Sequence, residues 1–129
     1  MQLLNEPLSG LIRSEPLLLL QFGDESCGPC HAIGSRLDRW LEDHNGVTAR
    51  YIPIREHLEA CSQMGIFTVP TIAVYMDGRL LARESGYFSL DQLLERADRY
   101  IALRSEAALD IEPDDIELSD TVAVIREIE

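Results

Sequence analysis

Residues 17–30 read LLLLQFGDESCGPC, and this stretch carries the strongest prediction of the fold. Leu17–Phe22 is an apolar run, which is typical of a strand buried on both faces in the middle of a parallel sheet. The residues that follow predict the start of a helix, with Pro29 near its first turn. Cys27 and Cys30 are therefore expected at the start of a helix that follows a buried strand.

This placement gives the two sulfurs different chemistry. Unpaired backbone N–H groups and the helix dipole favour an anion at Cys27, so its thiolate is expected to be stabilised. Cys30 lies one turn further along and is positioned to attack a mixed disulfide formed at Cys27. Asp24 and Glu25 oppose the thiolate by like charge, but exposed charges are screened and we expect the helix terminus to dominate.

Apolar spacing and turn residues predict the remaining elements. Upstream, residues 3–13 predict a short helix broken near Gly10. Downstream, the same signals predict a helix ending at Asn45-Gly46 and a strand over Val47–Ile54. A helix is predicted over Glu56–Met64, with Leu58, Cys61 and Met64 on one face. A hairpin of Thr71–Met76 and Leu80–Arg83 around Asp77-Gly78 follows, and then a helix that Ser89 and Gln92 cap. This order predicts an α/β sandwich with a mixed sheet.

With these elements around it, the cysteine motif resembles the thioredoxin superfamily over about residues 15–103. The matching segments are Leu17–Phe22, Cys27-Gly28-Pro29-Cys30, Gly65-Ile66-Phe67-Thr68-Val69-Pro70-Thr71, Asp77-Gly78-Arg79 and Gly86 before the last helix. The resemblance implies a thioredoxin-like three-layer α/β sandwich, in which helices flank a central mixed β-sheet.

The resemblance also implies roles for the site residues. Cys27 is the expected nucleophile and Cys30 the expected resolving thiol. In the family the proline that matches Pro70 is cis and packs beside the active disulfide, and the residue that matches Val69 offers backbone hydrogen bonds to an extended substrate segment. The expected substrate-binding residues are Gly28, Pro29, Val69 and Pro70.

Three features depart from the family pattern. Ser26 stands where the family commonly has Trp, which removes an aromatic docking surface. Gln21 stands where a buried acid commonly accepts the proton of the resolving thiol, and an amide cannot take that role. The segment before the central strand is short, so the fold is expected to have a trimmed N-terminus.

The function that follows is that of a thiol–disulfide oxidoreductase, which reduces or exchanges protein disulfides through the Cys-Gly-Pro-Cys dithiol. A thioredoxin reductase is the expected source of electrons, and no cofactor or metal is predicted. The alternative is a weakly redox-active or non-catalytic thioredoxin-fold interaction module. The missing Trp and acid favour this alternative, whereas the presence of both cysteines argues against it.

Charge and cysteine content limit the classes of partner and the cellular compartment that we expect. The chain has 129 residues, 11 Arg, no Lys and 23 acidic residues, for a formal net charge of −12. An acidic chain without a basic cluster does not fit nucleic acid or an anionic membrane surface. It has no signal-peptide pattern and no apolar run long enough to span a membrane. Its odd cysteine number favours the cytoplasm over a disulfide framework.

Other interpretations of the cysteines and histidines stay open. His31 completes a Cys-x-x-Cys-His pattern, which is also the attachment motif of c-type haem, although a solvated side chain is the simpler interpretation. A zinc site would need further ligands from His31, His44, His57 and Cys61, which are not at paired spacing. Cys61 itself is interpreted as a core residue, with a regulatory thiol as the alternative.

The acidic charge divides the chain into two predicted regions. Residues 1–104 form the predicted thioredoxin-like domain, with a net charge of −4, and residues 105–129 form an acidic C-terminal extension with a net charge of −8. Within the extension, Asp110–Asp120 predicts a loop and Thr121–Ile128 predicts a strand. Such a strand would dock on an open sheet edge or on a second subunit to form a homo-oligomer, or it would fray.

Overall fold

The computed structural model describes residues 1–110, and the side chains of residues 1–107. The described residues fall into two units, with the boundary between Leu93 and Leu94. The elements are α1 (Leu8–Ser14), β1 (Leu17–Gly23), α2 (Gly28–Glu42), β2 (Thr48–Pro53), a 3₁₀ turn (Ile54–Glu56), α3 (Leu58–Gln63), β3 (Thr71–Met76), β4 (Arg79–Ser85) and α4 (Leu90–Asp110).

The four strands form one mixed sheet in the order β2-β1-β3-β4. β1 pairs in parallel with β2 and antiparallel with β3, and β3 pairs antiparallel with β4. Leu17–Gly23 therefore lies inside the sheet, and all of its residues after Leu17 are buried. The predicted mixed sheet flanked by helices is confirmed.

Side chains alternate between the two faces of β1, so the buried residues of this strand belong to two different sides of the sheet. Leu18, Leu20 and Phe22 belong to one buried cluster together with residues of α1 and α3. Leu19 and Gln21 project to the opposite face because successive strand residues point to opposite sides. Gln21 accordingly reaches α2, where its side chain hydrogen-bonds to the Cys30 carbonyl.

The N-terminal segment adds a single bridge to the outer edge of β2. Leu3 pairs in parallel with Tyr51, the Leu4 N–H donates to the Tyr51 carbonyl at 2.9 Å, and the Tyr51 N–H donates to the Gln2 carbonyl at 2.8 Å. The prediction of a helix broken near Gly10 is wrong. Gly10 lies inside α1, which starts only after Pro7 and continues to Ser14, because the cost of one helical glycine is about 1 kcal/mol and packing of Leu8 and Leu11 offsets it.

The region around α3 differs from its prediction. A 3₁₀ turn and a six-residue helix replace the single helix expected over Glu56–Met64. Leu58, predicted on the inner face with Cys61, is 65% exposed because it is the first residue of α3 and the packed face begins one turn later. Cys61 itself is 2% exposed and lies in the core cluster.

The predicted hairpin around Asp77-Gly78 and the cap by Ser89 are confirmed, although β4 extends beyond the predicted Leu80–Arg83 at both ends. Asp77 and Gly78 have φ values of 52° and 82°, the pair of positive values that a two-residue hairpin turn of this kind requires. At the start of α4, the Gln92 N–H donates to Ser89 Oγ at 3.2 Å. The cap satisfies a backbone donor that would otherwise have no helical partner.

The predicted division between residues 104 and 105 stays a prediction, and α4 runs through both residues. The predicted terminal strand, Thr121–Ile128, lies outside the described residues, as does nearly all of the predicted loop. The predicted subunit contact through that strand lies outside them as well. Within residues 1–110, no helix is both long and apolar enough to cross a membrane.

Candidate active site

The two cysteines lie where the chain leaves β1 and enters α2. The Cys27 N–H donates to the Asp24 carbonyl at 3.0 Å, which closes a turn and brings Cys27 to the N-cap position of α2. Cys30 follows inside the first turn, and a disulfide joins it to Cys27 with 5.4 Å between the Cα atoms. The exposed fraction of Cys27 is 8% and that of Cys30 is 3%, so Cys27 is the more accessible of the two.

Gln21 supports this helix start from below. Its side chain is 1% exposed, and its Nε2 donates to the Cys30 carbonyl at 2.8 Å. A buried amide must find hydrogen-bond partners, and here the partner is the backbone of the active-site helix. Gln21 is thus a buried amide with a backbone partner, and the contact links β1 directly to Cys30.

The loop that ends in Val69-Pro70 forms the second side of the site. The Val69–Pro70 peptide bond is cis, Pro70 is buried and Val69 is half-buried. Thr71 is fully buried, and its Oγ1 hydrogen-bonds with the Thr68 carbonyl at 2.7 Å and with Ser85 Oγ at 2.8 Å. These bonds hold the loop against the hairpin, so Pro70 has a defined position.

Arg83 holds the opposite end of the same loop. From β4, its Nη1 donates to the Met64 carbonyl at 2.8 Å and its Nη2 donates to the Gly65 carbonyl at 2.6 Å. The carbonyls at the end of α3 have no further helical donors, and a guanidinium supplies two with a fixed geometry. The loop is therefore fixed by side chains at both ends.

A groove with a volume of about 620 Å³ opens beside the cysteines. It is lined by Ser26, Cys27, Gly28, Pro29, Ile33, Arg36, Val69, Pro70, Gly86, Tyr87, Phe88 and Leu90. Of the six residues predicted for the site, five line the groove, and the sixth, Cys30, lies behind Cys27. Sequence reasoning missed Tyr87 and Phe88, which directly follow the glycine matched by the resemblance.

The charge next to Cys27 is more balanced than the sequence suggests. Asp24 accepts a hydrogen bond from Ser26 Oγ at 3.3 Å and pairs with Arg55 Nε at 3.1 Å. Burial, followed by the charges of Asp24 and Glu25, raises the pKa of Tyr51 above its ordinary value. One of the two acids that were expected to oppose the thiolate is thus compensated by a guanidinium.

The structure bears on the histidine and metal interpretations separately. The His31 side chain is exposed on α2, as the simpler interpretation expects. Cys27 and Cys30 bind each other, and within the described part of the chain no three His, Cys, Asp or Glu side chains form a cluster that could hold a metal ion.

Cys61 gives a prediction about thiol reactivity. Burial raises the pKa of the Cys61 thiol, and the reactive thiolate is scarcer when the pKa is higher. We expect iodoacetamide at pH 7.5 to label no cysteine of the oxidised native protein and one cysteine after denaturation, with rates that differ by about a hundredfold or more. Mass spectrometry of the labelled peptides measures this, and rapid labelling of native Cys61 would favour the regulatory interpretation.

Comparison with known proteins identifies the family of this chain. The thioredoxin-like domain family matches residues 11–101. A thioredoxin of Alicyclobacillus acidocaldarius is 31% identical over 83 residues, which cover 64% of this chain and 79% of that protein. Mouse mitochondrial thioredoxin is 26% identical over 84 residues. These residues cover 64% of this chain and about half (51%) of the mouse protein.

A solved structure supports the fold independently of sequence. The solution structure of oxidised Plasmodium falciparum thioredoxin aligns with a TM-score of 0.66 at 22% identity, covering 74% of this chain and 96% of that one. The family match over residues 11–101 and the paired cysteines at the start of α2 agree with this fold. The chain belongs to the thioredoxin superfamily and is a thiol–disulfide oxidoreductase.

Proposed function

We propose that the protein reduces disulfides in other proteins and receives its electrons from a dithiol-disulfide reductase. The observation that carries this proposal is the asymmetry of the cysteine pair. Cys27 lines the open groove, whereas Cys30 is bonded to it and lies behind it. A substrate sulfur approaching through the groove therefore meets Cys27 first, which supports Cys27 as nucleophile and Cys30 as resolving thiol.

The reaction proceeds by two exchanges. The Cys27 thiolate attacks one sulfur of the substrate disulfide, that disulfide breaks, and the released substrate thiolate takes a proton from solvent. Cys30 then loses its proton and attacks Cys27 Sγ, which breaks the mixed disulfide and releases the second substrate thiolate to be protonated. Two electrons have moved from the protein dithiol to the substrate, and the reductase returns them with two protons.

The groove walls supply the binding part of this proposal. Gly28 and Pro29 lie on the cysteine side, and Val69 and Pro70 lie on the loop side. Backbone N–H and C=O groups of a half-buried residue such as Val69 can pair with an extended chain in the manner of an added strand. The proposal includes a cytoplasmic location, because a chain that keeps an unpaired cysteine suits a reducing compartment.

The direction of electron flow is tested by the reduction potential of the Cys27–Cys30 couple. We expect a value near that of thioredoxins, about −270 mV, and reduction of insulin by dithiothreitol to be faster with the protein than without it. The variant Cys61→Ala is the matched control, because it removes the one cysteine outside the pair. A potential near that of oxidising members, about −120 mV, would contradict a reducing role.

A further inference from the structure

Two aromatic side chains form one wall of the groove. Tyr87 is fully exposed and Phe88 is half-buried, and both line the same groove as Cys27. Together they bring a large apolar surface to the rim of a site where a second protein must dock. Exposed aromatic side chains in such a position typically mark a binding surface, because they add contact area at low conformational-entropy cost.

The residue just before Cys27 contributes little apolar surface. Ser26 is small, and its hydroxyl donates to Asp24, which is itself paired with Arg55. Arg36 is the charged side chain among the groove-lining residues of the described chain, and it is paired with Asp91. A charged substrate side chain would lose water in this groove and meet a guanidinium that already has a partner, whereas an apolar one would only gain contact.

A main-chain hydrogen bond joins the turn before the two aromatic residues to the Pro70 loop. The Gly86 N–H donates to the Pro70 carbonyl at 2.9 Å, so the turn that carries Tyr87 is joined to the loop that faces Cys27. Gly86 has a φ of 72°, a conformation that glycine adopts without steric cost. The main chain therefore carries Tyr87 into the lining of the groove that contains Cys27.

We propose that Tyr87, supported by Phe88, selects disulfide substrates that carry an apolar side chain next to the reacting cysteine. The occupant is an extended segment of another protein, since a groove of about 620 Å³ that contains Cys27 has room for a few side chains next to a sulfur. This inference rests on the proposed function, because the segment must be held while Cys27 attacks it.

The test compares two peptides that contain the same short disulfide loop. One carries Phe beside the cysteine and the other carries Asp at that position, and each is reduced by the protein in the presence of dithiothreitol. We expect the wild type to reduce the Phe peptide with a kcat/KM about tenfold higher than the Asp peptide. Tyr87→Ala is expected to lower this ratio to about two, and Tyr87→Phe to retain it.

The matched control is Phe67→Ala, which removes an exposed aromatic side chain that does not line the groove. This variant is expected to keep the wild-type ratio. A ratio that is the same in the wild type and in Tyr87→Ala would overturn the selectivity, while both peptides would still be reduced. If the wild type reduces neither the peptides nor insulin, the proposed function itself fails. A reduction potential measured on each variant shows whether its dithiol is intact.

Discussion

Replacing Cys27 with Ser will abolish disulfide reduction, whereas replacing Cys30 with Ser will trap the protein on its substrate. Cys27→Ser removes the sulfur that faces the groove, so we expect kcat/KM to fall by at least about a thousandfold. Cys30→Ser leaves the first exchange intact and removes the second, so the mixed disulfide accumulates. Non-reducing gel electrophoresis and intact mass measurements detect the adduct.

The control and the contrary outcome are both accessible. Cys61→Ala should turn over without a stable adduct, because Cys61 lies in the core cluster and does not line the groove. An adduct that forms on Cys27→Ser through Cys30, with none on Cys30→Ser, would reverse the two roles. Cys30 is 3% exposed, which makes it a poor first contact for a protein substrate.

Replacing Gln21 with Glu will destabilise the protein by several kcal/mol at neutral pH and much less in acid. The position is 1% exposed, and the atom that now donates to the Cys30 carbonyl would become an oxygen. An ionised carboxylate there is desolvated and faces a carbonyl oxygen, at a cost of about 3–5 kcal/mol. A protonated carboxyl can still donate, so the folded state retains the proton and the pKa of the introduced carboxyl rises.

The sign of the pH dependence follows from that proton. The folded variant binds more protons than its unfolded chain once the pH exceeds about 4.3, the ordinary pKa of a glutamate. Its free energy of unfolding, relative to the wild type, therefore falls as the pH rises and levels off above the raised pKa. Urea unfolding of both proteins at several pH values between 4 and 8 measures this difference.

A neutral replacement separates charge from the lost hydrogen bond. Gln21→Met keeps a side chain of similar length but leaves the Cys30 carbonyl without its buried donor, at a cost of about 1–3 kcal/mol that does not change with pH. Equal stability of Gln21→Glu and the wild type at pH 7 would show that water reaches position 21, contrary to its burial.

Local sequence signals predicted the parts of the fold that local physics determines. Five of the six residues of Leu17–Phe22 are apolar because both faces of the strand are buried, and Asp77-Gly78 supplies the positive φ values of a tight turn. Apolar spacing misplaced Leu58, because a helical period does not reveal where a helix's packed face begins. The break predicted at Gly10 was also wrong, because packing of α1 offsets the low helix propensity of a glycine.

The contacts that complete the site were not visible in the sequence because they join distant residues. Arg83 bonds carbonyls 18 and 19 residues away, and the partner of Thr71 on the hairpin is 14 residues away. No spacing rule links such pairs before the strands are ordered. Tyr87 was overlooked for a different reason, since it lies between a predicted strand and a predicted helix, where no period distinguishes a binding side chain from a core one.

The backbone bond between Gly86 and Pro70 has a consequence for how substrate preference can change. Because both partners are main-chain atoms, the bond does not depend on which side chain stands at position 87. Exchanging that side chain therefore leaves the turn in register with the disulfide. Position 87 is a natural site for laboratory evolution, where a library could retarget the enzyme to new proteins while the electron-transfer chemistry of Cys27 and Cys30 is inherited unaltered.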